Sequence, residues 1–507
     1  MNTKYIAILT FFLIGLISCS SDDDSSEGTD PEVIYSAGTA DFSNYVSVGN
    51  SLTAGYTDGA LFQASQQNSM PNLLAQQFSL VGGGEFSQPL MNDNLGGATL
   101  GGNVILENRL FFNGSGPARL PGNPTTEISQ TLSGNFNNMG VPGALSYHLL
   151  ANGYGNIAGV QSGQANPYFV RFASNPSTSI IADAVSQNPT FFTLWIGNND
   201  VLGYATSGGT GVDQKGNLDP STYASNDITD PNVFAQVYSG IVAQLTANGA
   251  KGAVANIPNV TSIPYFTTVP FNPVPLDEAT ANQLNMQLIG PVKQILTALG
   301  AGDRLVLLEA GANNPLMIKD EDLQDLSAQL NGALQQAGIP AQQAGLMAML
   351  YGQARHATEM DLITLPTSSL IGTEQAGVPA PFNNVGVTYP LQDGAVLLPS
   401  EQKASTDAVI AFNSTIEAVA EQNGLALVDA NAILDEVVNG GASFDEFVLN
   451  GDLVFGGAFS LDGVHPTARG YAYLANNFLE AIENSFDAVL PRLKAADYNT
   501  LYPAQLP

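Results

Sequence analysis

The feature that most constrains this chain is an alternation of short apolar segments with longer amphipathic ones. Residues 44–49 (NYVSVG), 191–196 (FFTLWI), 252–257 (GAVANI) and 425–429 (LALVD) have the length and composition of buried strands. Residues 232–248 carry apolar side chains at helical spacing. Strands that are apolar along their length and separated by helices indicate a parallel sheet covered on both faces. The sequence therefore predicts an α/β fold. Further helices are predicted over residues 51–56, 70–78, 177–186, 406–423 and 467–488.

Three stretches interrupt this alternation. Residues 82–138 are rich in Gly and Asn, residues 203–231 are polar, and residues 271–400 carry helices together with one extra strand predicted at 304–309. We interpret them as insertions into a single core domain over residues 41–495, followed by a C-terminal tail at 496–507. A second domain inside residues 271–400 is the alternative.

The N-terminus has the pattern of an export signal. Lys4 precedes an apolar run over residues 6–17, which is shorter than the roughly 20 residues that a membrane-spanning helix needs. A basic start, a short apolar stretch and a small residue before the cut are typical of a secretory signal peptide, here residues 1–18. The sequence Leu-Ile-Ser-Cys that ends at Cys19 resembles the lipobox of bacterial lipoproteins, in which the cysteine is acylated.

Residues 19–40 are predicted to form a disordered tether, because the segment is polar and acidic over most of its length. Its acidic cluster resembles the surface-export signal of Bacteroidota lipoproteins, and an ordinary solvated linker is the alternative. We therefore predict an outer-membrane lipoprotein that contacts the membrane through Cys19. Exposure on the cell surface or on the periplasmic side stays open.

Composition excludes several classes of function. The 507 residues include 14 Lys and Arg against 45 Asp and Glu, a formal net charge of −31, which repels nucleic-acid phosphates. A hydrophobic content of 44% excludes wholesale disorder. Three His and one Cys do not suffice for a Cys/His zinc cage. We expect no nucleic-acid partner, no metal and no cofactor.

Two motifs at opposite ends of the chain carry the side chains of a nucleophilic site. Ser51 lies in Gly-Asn-Ser-Leu between the first strand and a helix, at the strand end where parallel sheets bind ligands. His465 follows Asp462 by three residues across a Gly turn. A nucleophilic serine needs a base, and the base needs an acceptor that fixes its tautomer. Taken singly, Ser51 also fits a helix N-cap and His465 a surface turn.

Two further loops offer hydrogen-bond donors. Residues 138–143 (NMGVPG) form a glycine turn that can present the backbone N–H of Gly143, and residues 197–200 (GNND) can present the side-chain amide of Asn199. Acyl transfer needs such donors for the oxyanion that develops at the carbonyl.

Taken in chain order, the four motifs resemble the blocks of the SGNH (GDSL-type) hydrolase family: Gly-Asp-Ser-Leu, Asn-x-Gly-x-x-Gly, Gly-x-Asn-Asp and Asp-x-x-His. The resemblance implies a three-layer α/β/α sandwich around a mainly parallel five-stranded sheet, similar to flavodoxin, with no cofactor. It also implies a catalytic triad of Ser51, His465 and Asp462 and an oxyanion hole made by Ser51, Gly143 and Asn199. One position departs from the pattern, because the Asp before the serine is Asn50 here.

The function that follows is a lipid-anchored ester hydrolase that acts through an acyl-enzyme. The substrate class stays open among acylated glycans, lipids and small esters. Two alternatives are an acyltransferase with the same triad and a surface lipoprotein that binds glycan or protein with an inactive site.

Overall fold

A computed structural model describes residues 33–311 and 313–506. The predictions for the signal peptide, Cys19 and most of the tether lie outside the described residues. From Tyr35 onward the chain forms one compact unit.

A five-stranded, wholly parallel sheet lies at the centre of the fold, and its strands in chain order are β1 to β5. Across the sheet the order is β5-β4-β3-β1-β2, so β1 is flanked by β3 and β2. The predicted fold class is confirmed. The strands are β1 Tyr45–Gly49, β2 Asn138–Gly140, β3 Phe191–Trp195, β4 Lys251–Ala255 and β5 Ala426–Val428.

Helices cover both faces of the sheet because its side chains alternate between two apolar clusters. The helices in chain order, α1 to α15, are Ser51–Ala54, Gln63–Gln67, Met70–Ser79, Pro167–Val170, Ile180–Ser186, Asn199–Thr206, Pro231–Thr246, Pro264–Thr267, Glu278–Leu284, Gly290–Ala298, Ser327–Gln336, Ala341–Tyr351, Pro399–Asn423, Ala430–Asn439 and Ala468–Phe486. Val46 and Leu194 point into the cluster beneath α5, α7 and α13, whereas Tyr45 and Trp195 point into the cluster beneath α3 and α15.

The insertions lie between elements of the alternating core, and their boundaries differ from the predicted ones. Asn138 belongs to β2, Gly203 to α6, Pro231 to α7 and Ser400 to α13, so each insertion is slightly shorter than expected. The first insertion is built from two small antiparallel hairpins, Ala98–Leu100 with Asn103–Leu106 and Leu110–Phe112 with Pro117–Arg119.

The third insertion has its own apolar cluster formed by α9 to α12, and it stays within the single compact unit. The remaining short pairings are Val274–Pro275 with Asn313–Asn314, Met317–Lys319 with Ala354–His356, Leu362–Ile363 with Val396–Leu397, and Ala442–Phe444 with Phe447–Leu449.

The extra strand predicted at residues 304–309 is wrong. Residues 305–309 have no regular structure, and the backbone N–H groups of Val306, Leu308 and Glu309 are bonded by side chains instead of a neighbouring strand. Val306 N–H donates to His356 Nδ1 at 2.9 Å, and Leu308 N–H donates to Asn285 Oδ1 at 2.9 Å. A short apolar run does not reveal whether a strand partner exists.

Both ends of the domain are held more tightly than predicted. Ser36 pairs with Val489 through two backbone hydrogen bonds of 2.9 Å, so the tether ends before residue 40. In the predicted tail, Tyr502 is buried against Phe62, and the buried Arg109 donates to the carbonyl of Pro503 at 2.6 Å. No helix among the described residues is long and apolar enough to cross a membrane.

Candidate active site

Ser51 is placed by the abrupt change from β1 to α1. Gly49 ends the strand, and a Cβ there would lie 2.4 Å from the carbonyl oxygen of Trp195, so only glycine fits this close approach. Asn50 caps the helix, and Ser51 is the first helical residue. The Ser51 side chain therefore lies at the carboxyl edge of the sheet, between the ends of β3 and β2.

Asn50, the position that departs from the family pattern, makes two hydrogen bonds in the buried turn. Its Oδ1 accepts from the N–H of Leu52 at 3.1 Å, and its Nδ2 donates to Asn198 Oδ1 at 3.2 Å. The first bond is an N-cap interaction. The second ties the nucleophile turn to the loop that carries Asn199, and an ionised Asp has no donor to make it.

Asp462, His465 and Ser51 form a continuous chain of hydrogen bonds. His465 Nε2 lies 2.9 Å from Ser51 Oγ, and His465 Nδ1 lies 2.9 Å from Asp462 Oδ2. The side chains of His465 and Asp462 are each 14% exposed, so the pair is shielded but open to a ligand. With the proton on Nδ1, His465 can accept the Ser51 proton at Nε2.

The Asp462 carboxylate is saturated with donors. Its Oδ1 accepts from Ser460 Oγ at 3.0 Å and from the N–H groups of Val464 and His465, each at 2.9 Å. Its Oδ2 accepts from Gly59 N–H at 2.9 Å as well as from the His465 ring. Burial favours the neutral acid, but the His465 charge and these hydrogen bonds outweigh it and lower the pKa of Asp462 to about 2.

The two loops expected to stabilise an oxyanion end the strands on either side of Ser51. Gly143 follows β2 with φ of +80°, a left-handed conformation that favours glycine. Within the described residues, the backbone N–H groups of Ser51 and Gly143 have no hydrogen-bond acceptor. Asn199 opens α6 and donates one Nδ2–H to the carbonyl of Ala144 at 2.9 Å, which leaves a second N–H.

An apolar concavity is lined by chain neighbours of Ser51 and His465, although the triad side chains themselves are not part of its lining. Leu52 lines it next to Ser51 in the chain, and Val464 and Pro466 line it on either side of His465. These three lining residues are chain neighbours of Ser51 or His465, and consecutive Cα atoms are only about 3.8 Å apart. The lining of the concavity and the reacting pair therefore lie on the same short segments of the chain. Its far side is lined by Ile433 and Leu434 of α14 together with residues of α15.

Sequence analysis missed the turn that contacts residues 460–465, the loop that carries Asp462 and His465 and that we call the catalytic loop. Asp58 and Gly59 donate backbone N–H groups to Ser460 Oγ and to Asp462 Oδ2, both at 2.9 Å, and Tyr56 packs its ring 4.6 Å from that of His465. The Asp-Gly pair is a turn signal in the sequence. Nothing in the sequence places this turn against a loop 400 residues away.

The other two histidines are not part of this site. Nδ1 of His148 accepts from the N–H of Leu145, and Nδ1 of His356 accepts from that of Val306. Burial lowers the pKa of both to about 4, with a nearby Lys293 charge adding to the effect at His356. Both are neutral side chains of the fold interior.

One acidic cluster in the described part of the chain has the spacing of a metal site, formed by Glu321, Asp393 and Glu401. Glu401 already accepts the N–H of Leu398 at 2.6 Å as the first-turn acid of α13. Burial, then the neighbouring Glu321 and Asp393 charges, raises the pKa of Glu401 to about 8. The raised pKa favours a proton on Glu401, which reduces the repulsion among these carboxylates.

A parallel sheet with a serine, histidine and aspartate hydrogen-bonded in series at its carboxyl edge defines the class of serine hydrolases with an α/β fold. Comparison with protein families then specifies the class further, because the profile described as GDSL-like Lipase/Acylhydrolase matches residues 45–478. The chain belongs to this family and is a carboxylic ester hydrolase. No curated protein and no solved structure gave a significant match.

Proposed function

We propose that this enzyme hydrolyses esters through a covalent acyl-enzyme on Ser51. The observation that carries the proposal is the hydrogen-bond series from Asp462 through His465 to Ser51, with both links at 2.9 Å. Nucleophile and base are within proton-transfer distance before any substrate binds.

Each step moves a proton through His465. Ser51 Oγ bonds to the ester carbonyl carbon while its proton passes to Nε2 of His465, and Asp462 stabilises the resulting imidazolium. The ester C–O bond then breaks, and the leaving alcohol takes the proton. Water repeats the sequence on the acyl-enzyme, gives its proton to His465 and releases the acid, and Ser51 recovers a proton.

The backbone N–H groups of Ser51 and Gly143 and the free side-chain N–H of Asn199 are proposed to stabilise the oxyanion. Support comes from the absence of acceptors for the two backbone donors within the described residues. Donors held in place before reaction stabilise developing charge without a reorganisation cost.

We further propose that the substrate has an aliphatic acyl group that occupies the apolar concavity beside the triad. Leu52, Val464 and Ile433 offer it apolar contacts, and apolar walls are typical of small-molecule sites. Each methylene that the concavity buries contributes about 0.8 kcal/mol, or roughly a fourfold gain in kcat/KM.

The test is hydrolysis of p-nitrophenyl esters from acetate to decanoate. Ser51→Ala should abolish hydrolysis, whereas Ser405→Ala, a buried serine of α13, should leave it unchanged. Equal rates for the wild type and Ser51→Ala would contradict the proposal.

The length of the acyl chain in the substrate tests the acyl-binding proposal separately from the hydrolytic activity. Ile433→Trp, which fills the concavity, should lower kcat/KM for decanoate but not acetate, and Ala432→Trp on the exposed face of the same helix should lower neither. A length profile that Ile433→Trp does not change would refute the acyl site and leave the ester hydrolase standing.

Membrane anchoring through Cys19 is proposed on the sequence alone. Lipid chains bury methylenes at roughly 0.8 kcal/mol each, and stable anchoring takes more than one chain. Wild-type protein should fractionate with the outer membrane, and Cys19→Ala should move active enzyme to the soluble fraction. Retention of Cys19→Ala on membranes after a salt wash would refute the anchor.

A further inference from the structure

The turn from Thr57 to Ala60 follows the nucleophile helix directly. Thr57 and Ala60 exchange two backbone hydrogen bonds of 3.1 Å, and Asp58 has φ of +53°. Left-handed conformations are uncommon outside glycine, and Asp is among the residues that tolerate them. Asp58 is also only 2% exposed, which is unusual for a charged residue in a turn.

Three hydrogen bonds join Asp58 and Gly59 of this turn to residues 460–462, the part of the loop that carries the catalytic acid. Asp58 N–H donates to Ser460 Oγ at 2.9 Å, and Leu461 N–H donates to Asp58 Oδ1 at 3.1 Å. Gly59 N–H donates to Asp462 Oδ2 at 2.9 Å. Ser460 Oγ in turn donates a hydrogen bond to Asp462 Oδ1 at 3.0 Å, so the contact reaches both carboxylate oxygens of Asp462.

The turn is also tied to the first insertion and to the C-terminal segment. The carbonyl of Asp58 accepts from Leu110 N–H at 2.7 Å. The neighbouring Arg109 is fully buried and binds the carbonyl of Pro503 at 2.6 Å. The position of Asp58 is therefore fixed from both sides, independently of the catalytic loop.

Burying the carboxyl of Asp58 beside Asp462 has a cost in folding free energy. Burial raises its pKa to about 7, and the charge of Asp462 adds to this, whereas the Leu461 N–H and the Arg109 charge oppose it. A second carboxyl beside the catalytic one has an electrostatic cost. The hydrogen bond from Leu461 and the Arg109 charge offset part of this cost.

We propose that Asp58 is a positioning residue that holds residues 460–462 in register, so that Asp462 faces His465 and His465 faces Ser51. The proposal rests on the proposed function of the triad. Asp58 makes its hydrogen bonds to this loop with Ser460 and Leu461, not with Ser51 or His465. It acts through Ser460 and Leu461 on the orientation of Asp462.

The test compares two substitutions that introduce residues able to adopt the left-handed backbone of position 58. Asp58→Gly removes the carboxylate without strain, and Asp58→Asn keeps an oxygen for Leu461 N–H. Loss of one buried hydrogen bond that orients the acid should lower kcat about 10-fold to 100-fold in Asp58→Gly. KM should stay within about twofold, and Asp58→Asn should restore most of kcat.

Two readouts separate positioning from a loss of stability. The Nδ1 proton of His465, which is deshielded by its bond to Asp462, should shift or broaden in Asp58→Gly and return in Asp58→Asn. Asp183→Ala removes a carboxylate that accepts three hydrogen bonds remote from the catalytic loop, so it should lower Tm without changing kcat. Ser460→Ala should reproduce the kcat loss if Asp58→Gly does not fold.

An unchanged kcat in a folded Asp58→Gly protein would overturn the proposal, and so would an equal kcat loss in Asp183→Ala. A defect in Asp58→Asn as large as that in Asp58→Gly would also overturn it, because the hydrogen bond would then not be the cause. Full activity of Ser51→Ala would instead overturn the proposed function.

Discussion

Replacing Asp462 with Asn isolates the contribution of the acid to the tautomer of His465. An amide has one acceptor and one donor end, whereas the carboxylate accepts from five donors here. Two of the donors on Oδ1 are backbone N–H groups of Val464 and His465, which cannot rotate. The amide oxygen of Asn is therefore expected at the Oδ1 position and its NH₂ at the Oδ2 position.

That orientation reverses the hydrogen bond to the histidine. The NH₂ group faces Nδ1 of His465 as a donor, so Nδ1 must accept and the proton moves to Nε2. A protonated Nε2 cannot take the proton of Ser51. A wrong-tautomer histidine lowers kcat by about 10⁴, which is about 5.5 kcal/mol on the barrier. The NH₂ group also faces the N–H of Gly59, so that two donors oppose each other. The Tm should therefore fall as well.

The assay is steady-state hydrolysis of a p-nitrophenyl ester, with KM measured beside kcat. Asp183→Asn is the matched control, since this buried carboxylate also accepts a backbone N–H and two hydroxyl groups but contacts no triad residue. We expect a lower Tm and normal kcat in the control. A kcat for Asp462→Asn within tenfold of wild type would refute the tautomer argument.

Three further predictions address single features of the site. Nitrogen NMR of the three histidines should find the Nδ1–H tautomer at His465 and the Nε2–H tautomer at His148 and His356, whose Nδ1 atoms accept backbone N–H groups; a shared tautomer would contradict the geometry. Asn199→Ala should lower kcat about 10²-fold to 10³-fold with little change in KM, as for other oxyanion donors, and an unchanged kcat would remove Asn199 from that role. The pKa of Asp58 is raised from 3.8 to about 7, so its contribution to stability is full below pH 4 and is lost as the pH rises to 7. In urea unfolding, the free energy of unfolding of the wild type should therefore fall by up to about 4 kcal/mol more than that of Asp58→Asn between pH 4 and pH 7. Parallel curves of unfolding free energy against pH would contradict this prediction.

The sheet was largely predictable because its central strands are buried on both faces. Phe191–Trp195 and Lys251–Ala255 differ from the predicted limits by no more than two residues at either end. For strand Asn138–Gly140 the sequence predicts a turn, since three residues of mixed polarity carry no strand pattern. It exists because β1 supplies a parallel partner, with Gly49 in register with Gly140.

The part of the site that could be predicted consists of the residues that lie in short sequence motifs. Ser51 and the Asp462–His465 pair stand in recognisable local patterns, and the fold brings them within hydrogen-bond distance. Asp58 and Ser460 were not found, because each acts through a contact that only the folded chain creates. The concavity beside Leu52 was invisible for the same reason, since α14 and α15 close it.

The central claim is that Ser51 is a nucleophile activated by His465, and covalent labelling tests it most directly. A p-nitrophenyl alkylphosphonate should release one equivalent of p-nitrophenol as its phosphorus bonds to Ser51 Oγ. Mass spectrometry should then find a single adduct on the peptide containing Ser51, and none in Ser51→Ala or His465→Ala. An adduct on another residue, or equal labelling of His465→Ala, would contradict the account.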